Sequence, residues 1–117
     1  CWRKGFDIVR GDSRDMDLMK RLASKADVIL PLACLTGAPI CKADPIAATT
    51  VNRDAIVNLL EIKSRSQMLI YPCTNSGYGV GQDGIECDEN SPLNPITLYG
   101  KVKVEAEQAL LESGHCV

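Results

Sequence analysis

The sequence predicts an α/β fold built on a parallel, doubly wound sheet, and three observations predict it. Short apolar runs alternate with longer segments of helical periodicity. The run ADVILPLA is apolar at nearly every position, as in a parallel strand buried on both faces. Glycine- and proline-bearing segments follow the second and third apolar runs, at the strand ends where such sheets hold ligands.

Each element follows from its own residues. FDIVRGD reads as a strand closing in a turn, and SRDMDLMKRLASK as a helix capped by Ser13 or Asp12. ADVILPLA is the second strand, and LTGAPICKAD is a loop on the strength of its glycine and proline. From Pro45 to about Ser64 the pattern is helical, with Ile56, Leu59, Leu60 and Ile62 in the apolar stripe. SQMLIYPCT is the third strand and leads into the glycine-rich NSGYGVGQDG. After the loop SPLNP a helix runs from about Ile96 to Glu112, and HCV is the opening of a fourth strand.

Composition limits the function. With 117 residues, 45% of them apolar, the chain is the size of one domain. Its net charge of −2 is spread over both signs and aromatics are 4%, which argues against a nucleic-acid footprint or a membrane-surface protein. VILPLACLTGAPI, the longest apolar stretch, is broken by proline and glycine and is too short to span a bilayer. Six cysteines without a C-x-x-C pair or a cysteine-histidine cluster leave zinc no ligand set. They read as reduced thiols, which points to a cytoplasmic protein. The lone His115 reads as structural.

One constellation carries chemistry. Tyr99 and Lys103 stand four residues apart in LYGKVKVEAE and so share a helix face. A tyrosine of pKa about 10 is a poor base at neutral pH, and a nearby ammonium favours the phenolate. Lys101, two residues from Tyr99, points elsewhere. Thr74, in PCTNSGYG, offers a hydroxyl to a substrate oxygen on which charge develops. The plainer alternative is that Tyr99 packs, Lys103 is solvated and Thr74 ends a strand. The strand-end rule sets Asp12 and Ser13, residues 32–35 and residues 74–79 along one rim, so the trio and the other candidates converge.

GDSRD, ADVILPLACLTG, the asparagine of TTVNRDAIVNLLE, PCTNSGYG and LYGKVKVEAE, in this order, resemble the middle of an extended short-chain dehydrogenase/reductase. Within that superfamily the chain is similar to the NAD-dependent epimerase/dehydratase group acting on sugar nucleotides. The resemblance implies a Rossmann-like sheet, incomplete here. It implies that the first βαβ unit and the C-terminal substrate domain lie outside this chain, and that residues 1–117 form a partial NAD(P)-binding domain. It implies that Asp12 and Ser13 contact the adenine end of NAD, with NADP also open. Leu32, Ala33, Cys34 and Leu35 would lie against the nicotinamide-side ribose and pyrophosphate. Asn52 would support the site near the cofactor, Thr74 would be the catalytic hydroxyl and Tyr99 the acid/base. Lys103 would lower the tyrosine pKa and hold the ribose. A nucleotide-sugar substrate follows from the same resemblance, as does a possible homodimer through the Ala106, Ala109 and Leu110 side of the last helix.

The departures refine this picture. The G-x-x-G-x-x-G phosphate loop is absent, Pro31 stands where the family often has histidine, and the chain does not begin with methionine. It is expected to be an internal fragment of a longer enzyme and inactive by itself. Asn75 and Ser76 occupy positions where sugar-nucleotide dehydratases resembling it carry an aspartate and a glutamate. Neither titrates usefully. The sequence therefore favours epimerase-type oxidoreduction over elimination, with a keto-sugar or aldehyde reductase as its nearest rival. A non-catalytic dinucleotide sensor or scaffold is the alternative from another class.

Overall fold

A computed structural model of the chain describes residues 5–80 and 86–114. Along the chain these form helix α1 (Met16–Ala23), strand β1 (Val28–Ile29), helices α2 (Ala38–Ala43) and α3 (Pro45–Thr49), and a π-helical turn (Thr50–Asp54). Helix α4 (Ala55–Ile62), strand β2 (Met68–Leu69), a 3-10 helix (Asn75–Tyr78) and helix α5 (Leu98–Glu112) follow.

The two strands are parallel, with Val28 opposite Met68 and Ile29 opposite Leu69. The Met68 amide donates to the Asp27 carbonyl at 3.0 Å and the Ile70 amide to the Ile29 carbonyl at 2.9 Å. Both apolar runs are longer than the paired segment, and the reason is covalent. Continuing the ladder by one step would call on the amides of Pro31 and Pro72, and proline has no N–H to donate. The strands therefore pair briefly and then splay into the segments that carry the candidate residues.

One face of this pair is covered. Ile29, Leu69 and Tyr71 pack with Ile56 and Leu59 of α4, Ala106 and Leu110 of α5 and Met19 of α1. The alternate residues point the other way: Val28, Leu30, Met68 and Ile70 are each 45–52% exposed. On α5, Ala106 and Leu110 are buried within the chain. Of the stripe that sequence reading offered to a second subunit, Ala106 and Leu110 thus serve the chain's own core, while Ala109 is half-buried.

Several expectations are corrected. FDIVRGD has no ladder partner among the described residues, and Phe6, Ile8 and Val9 are more than half exposed, so the segment is not a strand. Neither Ser13 nor Asp12 caps α1. Asp15 does, accepting from the Leu18 amide at 3.0 Å. LTGAPICKAD is not wholly a loop, because α2 begins at Ala38 with Pro39 in its first turn, where a missing N–H costs nothing. The helix expected from Pro45 is interrupted by the π-helical turn. The last helix starts at Leu98 rather than Ile96, with the Thr97 hydroxyl accepting from the Gly100 amide at 3.1 Å. The HCV strand and His115 lie outside the described residues.

Candidate functional site

The site is assembled where β1 and β2 end. Thr74 caps the 3-10 helix, its hydroxyl accepting from the Ser76 amide at 3.3 Å. Helix α5 approaches this turn closely because two glycines face it. A Cβ on Gly100 would stand 2.7 Å from the Ser76 carbonyl oxygen, and one on Gly77 would stand 2.9 Å from a Val104 methyl. The Asn94 amide closes the arrangement from the return loop, donating to the Gly77 carbonyl at 2.8 Å. That approach brings Tyr99, next to Gly100, alongside Thr74. Burial holds the Tyr99 phenol above its ordinary 10.0, the Thr74 hydroxyl opposes that by hydrogen bonding to it, and the Cys34 thiol adds to the rise.

Lys103 is 5% exposed. Its ammonium donates to the Pro72 carbonyl at 2.6 Å and lies 4.0 Å from the centroid of the Tyr71 ring. Burial lowers its pKa from 10.5, against the opposing pull of Cys34, Cys73 and Glu107. In the chain alone, then, the ammonium engages the end of β2, and burial pushes the Tyr99 phenol upward, opposite to the direction expected of the spaced pair. One helical turn further on, Glu107 accepts from the Cys73 thiol at 3.3 Å. Burial, with Glu107 adding to it, pushes that thiol up to about 11.

Asn52 is 1% exposed and sits in the π-helical turn. Its side-chain oxygen accepts from the Leu35 amide at 2.8 Å, and its nitrogen donates to the Leu35 carbonyl at 2.9 Å. One side chain thereby satisfies both backbone groups of a residue whose strand has ended at Pro31. The fully buried Cys41 thiol donates to the same carbonyl at 3.3 Å.

Asp12, Ser13, Leu32 and Ala33 share the wall of one cavity of about 260 Å³, with Ile56 and Leu59 beneath. The carboxylate of Asp12 is held by Arg14 at 2.6 Å, and that guanidinium draws its pKa down to about 2. Thr74, Asn75, Cys73 and Glu107 line a second cavity of about 550 Å³. The structure thus brings Thr74 to Tyr99, Cys34 to Tyr99 and Asn52 to Leu35, and it sets Asp12 and Ser13, expected at the adenine end, in one cavity wall with Leu32 and Ala33, expected at the nicotinamide side. Tyr71, Cys41, Gly100 and Glu107 were missed by the sequence reading. Only Glu107 left a signal, at the next helical repeat after Lys103.

Among the described residues no group of histidine, cysteine and carboxylate side chains could hold a metal ion. The profile of the NAD dependent epimerase/dehydratase family matches residues 2–115. The chain belongs to that family.

Among solved structures, this epimerase/dehydratase family chain is similar to the UDP-glucose 4-epimerase of Thermus thermophilus in complex with NAD. The identity is 26%, 97% of this chain and 38% of that one are covered, and the TM-score is 0.86. It is also similar to DesIV, the dTDP-glucose 4,6-dehydratase of Streptomyces venezuelae with NAD and TYD bound, at 25% identity over 86% of this chain and 32% of that one, with a TM-score of 0.79. An uncharacterized membrane protein of Methanocaldococcus jannaschii is 25% identical over 103 residues, 88% of this chain and 27% of that protein. In the present chain no helix among the described residues is long and apolar enough to cross a membrane. The family's Rossmann-like α/β architecture is therefore present in part, and the chain spans between 27% and 38% of the length of these relatives.

Proposed function

We propose that this chain supplies part of the NAD-binding half of a sugar-nucleotide epimerase-type oxidoreductase, with Tyr99 as acid and base. The observation that supports this most is the meeting of Tyr99 and Thr74 across the contact that Gly77 and Gly100 permit. The donor and acceptor sets suit a dinucleotide. Asp12 and Ser13 offer acceptors at the smaller cavity for its adenine end, and Lys103 offers N–H groups for its nicotinamide-side ribose. NAD, or NADP, when bound would supply a reversible acceptor for the hydrogen of a sugar carbon. Thr74 then orients the sugar hydroxyl, and Tyr99 takes its proton and later returns it. The Asn52 clamp holds the backbone of Leu35 beside them.

The raised pKa of Tyr99 makes the neutral phenol the resting form of the chain alone. It becomes an efficient base only when further positive charge lies near it, which fits a tyrosine that works once a cofactor is in place. A second reading, elimination of water by a dehydratase, is favoured by Glu107, a carboxylate in the wall of the Thr74 cavity. Against it, Asn75 in that wall cannot titrate and the Glu107 carboxylate is engaged by Cys73.

The test is a Tyr99→Phe variant of the intact polypeptide assayed with nucleotide sugars and NAD. Loss of at least about a hundredfold in kcat is expected. Full activity in the variant would overturn Tyr99 as acid and base, absence of turnover in the wild type would favour the non-catalytic sensor, and a product lighter by one water would favour the dehydratase.

A further inference from the structure

Lys103 is held by a residue to which the sequence assigns no role. The Tyr71 ring lies under its ammonium, centroid to Nζ 4.0 Å, and the Tyr71 hydroxyl donates to the Lys103 main-chain carbonyl at 3.4 Å. The neighbouring Pro72 carbonyl takes a hydrogen bond from the same ammonium at 2.6 Å. Two consecutive residues of the splayed end of β2 therefore grip one lysine of α5, at its tip and at its backbone.

We propose that Tyr71 is the positioning residue of Lys103, its ring serving as a platform that holds the buried ammonium in place while leaving N–H groups free to bind a ligand. An ammonium has three donors, and Pro72 takes one. A second carbonyl or a carboxylate at the position of the ring would consume another. A ring face attracts the charge through its quadrupole without a lone pair to occupy an N–H. It also supplies attraction where a side chain 5% exposed has lost nearly all its water. The other titratable groups that act on Lys103 are the Cys34 and Cys73 thiols and the Glu107 carboxylate. Of these, Glu107 is itself engaged by the Cys73 thiol.

Because the ring and not the hydroxyl attracts the ammonium, Phe should replace Tyr71 and Leu should not. The consequence for cofactor binding rests on the functional reading above; the contact itself does not. The experiment measures the labelling rate of Lys103 by an amine-reactive acetylating reagent in the intact protein, read by peptide mass spectrometry, for the wild type, Tyr71→Phe and Tyr71→Leu. Labelling of Tyr71→Phe is expected to match the wild type, and that of Tyr71→Leu to be about thirtyfold faster, the ratio that corresponds to one desolvated cation–π contact. Equal rates in all three would overturn the proposal. Because Tyr71→Leu also opens a space in the core, a second measurement uses the wild type alone. The ring should shift the Lys103 ε-methylene protons upfield in NMR spectra, and ordinary lysine shifts there would overturn the proposal as well. NAD titration of Lys103→Ala separates the two readings: unchanged affinity would count against the cofactor role of Lys103, while labelling and ring shift would still decide the role of Tyr71.

Discussion

Residue by residue, the chemistry of this chain is set by what lies next to each titrating group. The Tyr99 and Lys103 spacing was legible, because a helix puts residues four apart on one face whatever surrounds it. Their partners were not. Tyr71 lies in a run that reads as a buried strand, where an aromatic looks like packing, and nothing in its spacing says that the Lys103 ammonium lies over its ring. Cys73 carries a testable consequence. Its thiol titrates at about 11 in the folded chain against an ordinary 9.0. The unfolded chain thus loses this proton first as pH rises. The stabilisation it provides is complete below pH 9, and is lost as pH climbs toward 11. Urea midpoints measured across that window should fall, and should fall less steeply in Cys73→Ala. A parallel decline in both proteins would assign the loss to other groups.

Among elements, the helix from Pro45 to Ile62 shows how local irregularity serves the site. Its start at Pro45 was read from the sequence, and the Asp44 carboxylate, which caps the first turn by accepting from the Ala47 amide at 2.9 Å, went unread; its end falls at Ile62, short of the expected Ser64. The π-helical turn in its middle was not, since no residue type marks it; such turns recur at functional positions. Asn52 is the reason it matters here. Asn52→Leu would strip the Leu35 amide and carbonyl of their side-chain partner and should cost about 2–4 kcal/mol. The Leu35 amide should also exchange with solvent much faster in the variant. A variant as stable as the wild type, with Leu35 still protected, would show that the clamp is dispensable. The short helix α2 was hidden for a related reason: glycine and proline look like loop residues until Gly37, at a φ of 96°, proves to be the position from which the helix starts.

For the molecule as a whole, strand and helix alternation was legible and the covering of the sheet was not. Apolar runs read as strands buried on both faces, yet the described helices α1, α4 and α5 all pack on the side of Ile29 and Leu69. Neighbouring positions of one strand should therefore differ sharply in their energetics. Leu69→Ala removes a side chain with no exposure and should cost about 2–5 kcal/mol. Met68→Ala, at a position 45% exposed, should cost under about 1 kcal/mol. Urea denaturation of the chain checks the pair. Equal losses would mean that the second face is also sheltered.

The π-helical turn also makes the chain's length count. Residues 50–54 hold one residue more than a regular turn would use, so deleting one of them would leave a smoother helix with better hydrogen bonds. It would also swing everything on one side of the cut by about 100° around the axis relative to the other. Asn52 could then no longer face Leu35 while Ile56 and Leu59 kept their places in the core. At this point the fold should tolerate many changes of letter and almost no change in the number of letters.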